Sequence, residues 1–198
     1  MELTDLQAWR LRRLFRVLNR LMVILFRLGL GAWGNASKYG GYIMVIKNTG
    51  RKSGLSRLTP VNYAMVNGDV YCTAGFGEAS DWYRNIMTNP QVEIWLPNGR
   101  WAGVAEDVTG LSDRASIFRQ VIIASGFAGL LFGVNQKKMS DSELDELLAH
   151  YRLIRIRRTG ALTGPGGPGD LAWVWPLTTL VLLFLLVSGR SGRKRSRA

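Results

Sequence analysis

Two Asn-Gly dipeptides, Asn67-Gly68 and Asn98-Gly99, each stand between short runs of β-branched and aromatic residues, and they restrict the fold more than any other feature of the chain. Asn-Gly readily adopts the consecutive positive φ angles of a two-residue hairpin turn, so the flanking runs are expected to pair antiparallel. The strands predicted around the first turn are Arg57–Val66 and Val70–Thr73, and around the second Gln91–Leu96 and Trp101–Val108. Tyr42–Lys47 precedes them with the same composition. Tyr151–Arg158 follows them, setting Leu153, Ile154 and Ile156 against Arg152, Arg155 and Arg157. Short strands at such close spacing predict a small barrel or sandwich. Helices are predicted over Ser80–Thr88, capped by Ser80 or Asp81 and stopped by Asn89-Pro90, and over residues 112–133, interrupted by Gly126 and Gly129. A capping box from Ser140 to Glu143 opens a further helix to His150. Residues 35–158 are thus read as one α+β domain.

The two ends carry a different pattern. Of a formal net charge of +12, six arginines against Glu2 and Asp5 lie in residues 1–34, and Arg190, Arg193, Lys194, Arg195 and Arg197 lie in 190–198 without an acid. From Leu3 to about Leu30, apolar Leu6, Trp9, Leu14, Leu18, Leu21, Leu25 and Leu28 recur at helical steps beside an arginine-rich face. This is the pattern of a helix lying in a membrane interface, or of one packing its stripe on the domain and showing its arginines to water. Residues 159–170 hold Gly160, Gly164, Gly166, Gly167, Gly169, Pro165 and Pro168 and read as a linker. Residues 171–189 carry no charge, open with Trp173 and Trp175, and run into the basic tail at 190–198; they are read as a single transmembrane helix. The partner expected from this layout is a lipid membrane and not a nucleic acid, which needs a basic face on the folded domain itself. The basic tail favours a cytoplasmic C-terminus, whereas the lack of a cleavable leader favours a domain on the cytoplasmic side; the latter is the expectation adopted.

Cys72 is alone and His150 is the one histidine, so neither an internal disulfide nor a metal site is expected. The stretch richest in chemistry is Thr49, Gly50, Arg51, Lys52, Ser53, Gly54, then Arg57, a turn between two predicted strands. Gly50 and Gly54 permit a tight loop with inward N–H groups, while Arg51, Lys52, Arg57, Ser53 and Thr49 add cationic and hydroxyl donors. On the residues alone this reads equally as a phosphate cradle and as a solvated basic turn; the spacing is not that of a Walker loop. Trp82 by itself reads as a core anchor with Asn85 satisfying nearby backbone. The apolar segment from Ser125 to Gly133 reads as packing, or as the lid of a lipophilic pocket.

These motifs, followed by Pro60, Tyr63 and then Trp82, Tyr83, Arg84 and Asn85 leading to Asn89-Pro90, make residues 42–108 resemble the deazaflavin-dependent nitroreductase family. The resemblance implies a split β-barrel of the FMN-binding, pyridoxamine-oxidase-like kind with flanking helices. It implies coenzyme F420 as cofactor, with FMN as the alternative. Arg51, Lys52, Ser53 and Arg57, with Gly50, Gly54 and Pro60, would hold the cofactor phosphate, and Ala74, Gly75, Trp82 and Asn85 would border the ring. Tyr63 would face the pocket near the substrate; by their own chemistry Tyr63, Tyr83 or Tyr151 could supply a proton to it. Where several relatives place a Lys after the third strand, this chain has Phe76, Gly77 and Glu78. The activity expected is hydride transfer from reduced F420 to a lipophilic acceptor such as a quinone or an unsaturated lipid. The alternative is a non-enzymatic subunit of a membrane protein complex that uses the barrel for docking or cofactor binding.

Overall fold

The computed structural model describes residues 17–32, 41–126, 144 and 151–195. Helix α1 spans residues 17–27. Six strands follow: β1 (Ile43–Thr49), β2 (Ser56–Val66), β3 (Asp69–Ala74), β4 (Gln91–Leu96), β5 (Gly99–Asp107) and β6 (Arg152–Ala161). A 3₁₀ turn (Gly77–Ala79) and helix α2 (Asp81–Thr88) lie between β3 and β4, α3 (Arg114–Ala124) follows β5, and α4 (Val174–Arg195) ends the described chain. The strands close into one barrel in the order β1-β2-β3-β6-β5-β4, every pair antiparallel. The expected α+β class with flanking helices is therefore present, and closure decides between barrel and sandwich. The capping-box helix expected from Ser140 to His150, the segment 127–133 and residues 3–16 of the first helix lie outside the described residues, Leu144 excepted.

Alternation explains the closure. Met44 and Ile46 of β1, Val70, Cys72 and Ala74 of β3, Val92, Ile94 and Leu96 of β4, and Ile154 and Ile156 of β6 fill the barrel interior. The opposite parity is apolar chiefly where a helix covers it, with Leu58 of β2 an exposed exception. Val45 and Trp95 lie under Phe26 of α1, and Tyr71, Ala64 and Leu153 lie under Ile117 and Val121 of α3. The stripe of α1 thus packs partly on the domain.

The first hairpin turn is the expected one: Val66 pairs with Asp69 across Asn67 (φ 51°) and Gly68 (φ 89°). The second is one residue earlier than its Asn-Gly dipeptide suggests. Leu96 pairs with Gly99, so the turn is Pro97-Asn98 and Gly99 already belongs to β5. Proline, with its φ fixed near −65°, suits an ordinary turn and not the doubly positive one. Strand β6 runs on to Ala161, pairing Gly160 with Ala102, so the linker begins three residues later than expected.

Among the described residues, no helix is long and apolar enough to cross a membrane. Leu171–Trp173, the start of the expected span, lies in turns, and charge returns at Arg190. The uncharged helical run from Val174 to Gly189 is sixteen residues. At about 1.5 Å per residue it measures about 24 Å, short of a hydrocarbon core of about 30 Å.

Candidate cofactor-binding site

The loop joining β1 to β2 is held by its own backbone. Gly50 N–H donates to the Leu55 carbonyl (2.8 Å), and the N–H groups of Ser53 and Gly54 donate to the Gly50 carbonyl (3.2 and 2.8 Å). Gly54 sits at φ +67°, which favours glycine, and a Cβ on Gly50 would lie 2.9 Å from Ser53 Oγ and 3.2 Å from the Leu55 carbonyl. The N–H of Leu55 donates to Ser53 Oγ (3.4 Å) and that of Arg51 to Asn85 Oδ1 (3.1 Å). The inward nest of free N–H groups expected from the glycines is accordingly not what the loop forms. These bonds occupy the N–H groups of Gly50, Arg51, Ser53, Gly54 and Leu55, so the loop's capacity for an anion rests mainly on side chains.

Those side chains divide into two sets. Arg51 is turned onto α2: its guanidinium donates to Asn85 Oδ1 (3.1 Å), to the Asp81 carbonyl (3.3 Å) and to Asp81 Oδ1 (3.0 Å). Asp81 therefore pairs with a cation instead of capping its helix, and Ser80, at the N-cap, makes no side-chain cap bond either. Lys52, Ser53 and Arg57 are exposed. Arg57 Nη2 donates to Ser53 Oγ (3.4 Å), and among the described residues neither Lys52 nor Arg57 has a carboxylate partner. Two uncommitted cations flanking a hydroxyl suit an anionic group such as a phosphate monoester.

Beneath the loop lies a buried amide pair that sequence reasoning missed in half. Asn85 Nδ2 donates to Asn48 Oδ1 (3.1 Å), both side chains are buried, and Asn48 Nδ2 has no partner among the described residues. Asn48 was legible as the next inward position after Met44 and Ile46, a polar residue where alternation demands an apolar one. Trp82 packs half-buried on the barrel core, as its own chemistry suggested. Ala74 is buried at the end of β3 with Gly75 beside it, and Pro60 pairs with Val45 in the β1–β2 ladder. The structure thus gathers Gly50, Arg51, Lys52, Ser53, Gly54, Arg57 and Asn85 at one end of the barrel. Pro60 belongs to the wall between β1 and β2.

Tyr63 is buried in the core and meets Tyr42 edge-on, with ring centroids 6.1 Å apart. Burial, then the neighbouring Tyr42, raises its pKa above the ordinary phenol range, so it stays protonated at neutral pH. Tyr83 donates to Asp107 Oδ2 (2.6 Å); burial first, then this bond, pushes its pKa up to about 12. Burial works to raise the Asp107 carboxyl, but hydrogen bonds from Thr109 and Tyr83 outweigh it and hold the group below its usual range. At the position of the relatives' Lys, Glu78 pairs with Arg152 of β6. Among the described residues no cluster suits a metal ion.

The class is an α+β domain built on a closed antiparallel barrel, whose first loop sets cations without carboxylate partners among the described residues over a buried amide pair. The chain matches the F420H(2)-dependent quinone reductase family over residues 19–140 and belongs to it. It is thereby an F420-dependent oxidoreductase, with coenzyme F420 as its cofactor. Among solved structures it is similar to a conserved hypothetical protein, Rv2991, from Mycobacterium tuberculosis (16% identity, 69% of this chain and 90% of that one, TM-score 0.46). It is also similar to a putative 5-nitroimidazole antibiotic resistance protein from Bacteroides thetaiotaomicron (12% identity, 61% and 74%, TM-score 0.47). A third is an F420-H2 dependent reductase (17% identity, 58% and 93%, TM-score 0.42). No curated protein matches the chain.

Proposed function

We propose that this protein is a membrane-associated reductase that passes hydride from reduced coenzyme F420 to a lipophilic acceptor, a quinone or an unsaturated lipid, with its barrel on the cytoplasmic side. The observation that carries the reading is the pair Lys52 and Arg57, exposed around Ser53 and free of any carboxylate among the described residues. In this reading they hold the cofactor phosphate. Arg51 and Asn85 act one step back, fixing the loop to α2 so that its cations stay in place.

When bound, the deazaflavin supplies a two-electron hydride donor. The chain has to hold it, exclude water and provide a proton, because a quinone that accepts hydride still requires one proton to become a quinol. Tyr63, kept protonated by burial, is the residue assigned to give it. Apolar α4 would keep the barrel beside substrates that scarcely enter water.

Titration of the full-length protein with coenzyme F420, followed by deazaflavin fluorescence, tests the site. Replacing both Lys52→Ala and Arg57→Ala is expected to weaken binding roughly ten- to a hundredfold, the loss of one or two charge-assisted contacts. Unchanged affinity would remove these residues from the cofactor site. In vesicle-reconstituted protein, reduced F420 should be oxidised on adding a long-chain quinone; no oxidation with any quinone tried would remove the acceptor class.

A further inference from the structure

The segments flanking the domain in sequence meet in space. At the end of α1 the Phe26 carbonyl accepts from Gly29 N–H (3.0 Å), and the Arg27 and Leu28 carbonyls lie past the last helical turn. Residues preceding or opening α4 reach all three: Gly169 N–H donates to Phe26 O (2.9 Å), Leu171 N–H to Arg27 O (2.8 Å) and Trp175 Nε1 to Leu28 O (2.9 Å). Arg27 closes the junction with a two-pronged grip on the carboxylate of Asp170, at 2.9 to 3.1 Å. Phe26, 1% exposed, then fastens this junction to Val45 and Trp95 on the outer wall of the barrel. The strap itself passes Arg100, whose guanidinium donates to Pro165 O (2.9 Å) beside the β4–β5 turn. By strand register that is the end of the barrel opposite the loop after β1.

What the junction presents outward is apolar. Val17, Leu18, Leu21 and Ile24 of α1 are exposed, and so is every side chain from Leu180 to Val187 of α4. Eight consecutive exposed apolar residues cover all sides of a helix, so α4 offers no single stripe to a protein groove and is suited to a medium apolar all round it. Trp173 and Trp175 are exposed where that helix begins, Arg20 lies on α1, and the last turns of α4 carry Arg190, Arg193, Lys194 and Arg195 in the sequence.

We propose that α1 and α4 form one lipid-binding unit for an anionic bilayer, locked together by the Arg27–Asp170 pair, so that α4 anchors the chain while the clamp sets α1 into the same leaflet. This rests on the membrane-associated reading and adds the coupling to it. A unit whose second element is delivered at fixed geometry gains its contacts at high effective concentration, whereas an unclamped α1 must find the surface alone.

The test uses the full chain carrying Leu18→Cys labelled with an environment-sensitive fluorophore; native Cys72 is fully buried with its thiol pKa pushed up, and so is inert to the label. Vesicles of phosphatidylcholine with phosphatidylglycerol should float with the protein and blue-shift the label. Adding Asp170→Ala should cut that shift by at least about half while flotation through α4 persists, and Arg27→Asp with Asp170→Arg should restore it. An undiminished shift in Asp170→Ala overturns the coupling alone. Wild-type protein that floats with no vesicle, or that buries the label by self-association in lipid-free buffer, overturns the membrane reading and the coupling with it.

Discussion

Arg51 and Lys52 are adjacent and chemically alike, yet one serves the fold and the other faces solvent. The difference lies in the partner: Asp81 and Asn85 stand within reach of Arg51, and nothing anionic among the described residues stands near Lys52. Asn85→Ala is therefore expected to act on stability. It strips a partner from the Arg51 N–H, its guanidinium and Asn48 Oδ1, at a cost of about 1–3 kcal/mol read from the urea midpoint. Asp107 gives a pH signature. A carboxylate whose folded pKa is depressed contributes stability that is complete above the unfolded value, about 3.9, and is lost as pH falls through the lower folded value. The advantage of the wild type over Asp107→Asn should hold from pH 7 to about pH 4 and shrink below it, as urea midpoints across that range would record. Tyr63→Phe should leave F420 affinity unchanged and lower the turnover of quinone, which steady-state kinetics separates from binding.

At the scale of elements, the barrel wall is read by parity. Inward positions of β1, β3 and β4 are apolar throughout except Asn48, and that exception marks the loop end of the barrel. Outward positions are apolar chiefly beneath α1 and α3. Phe26 is the contact through which α1 holds the wall, so Phe26→Ala should cost about 3 kcal/mol by thermal or urea denaturation. It should also leave the barrel's circular dichroism intact, because the ladder does not include α1. The shift of the second hairpin to Pro97-Asn98 is likewise local: proline's fixed φ and the pairing of Leu96 with Gly99 outweigh the pull of an Asn-Gly dipeptide.

For the molecule as a whole, the two regions given proposed roles lie at opposite ends of one barrel. The cationic loop and the Asn48–Asn85 pair lie at one end, and the strap that joins α1 to α4 lies by the β4–β5 turn at the other. The exposed apolar surface of α4 predicts that the full chain needs detergent or lipid to stay monodisperse. Ending the chain after Ala172 keeps all of β6 and the Arg27–Asp170 pair. The shortened protein should run as a single species without detergent in size-exclusion chromatography and still bind F420; aggregation or loss of binding would make α4 part of the domain's support.

Sequence by itself determined the parts that depend on neighbours along the chain. Alternation gave the strands, Asn67-Gly68 gave a turn, Asn89-Pro90 ended α2, and glycines marked a loop too tight for side chains. The family resemblance was legible for the same reason, since it rests on contiguous motifs. Tertiary structure alone decided the order in which the strands close the barrel, the turning of Arg51 onto α2, the use of most of the loop's N–H groups and the meeting of Arg27 with Asp170. Each of these depends on distances between residues far apart in the chain, and a hydrogen-bond donor's availability is known only once its competing partners have been placed.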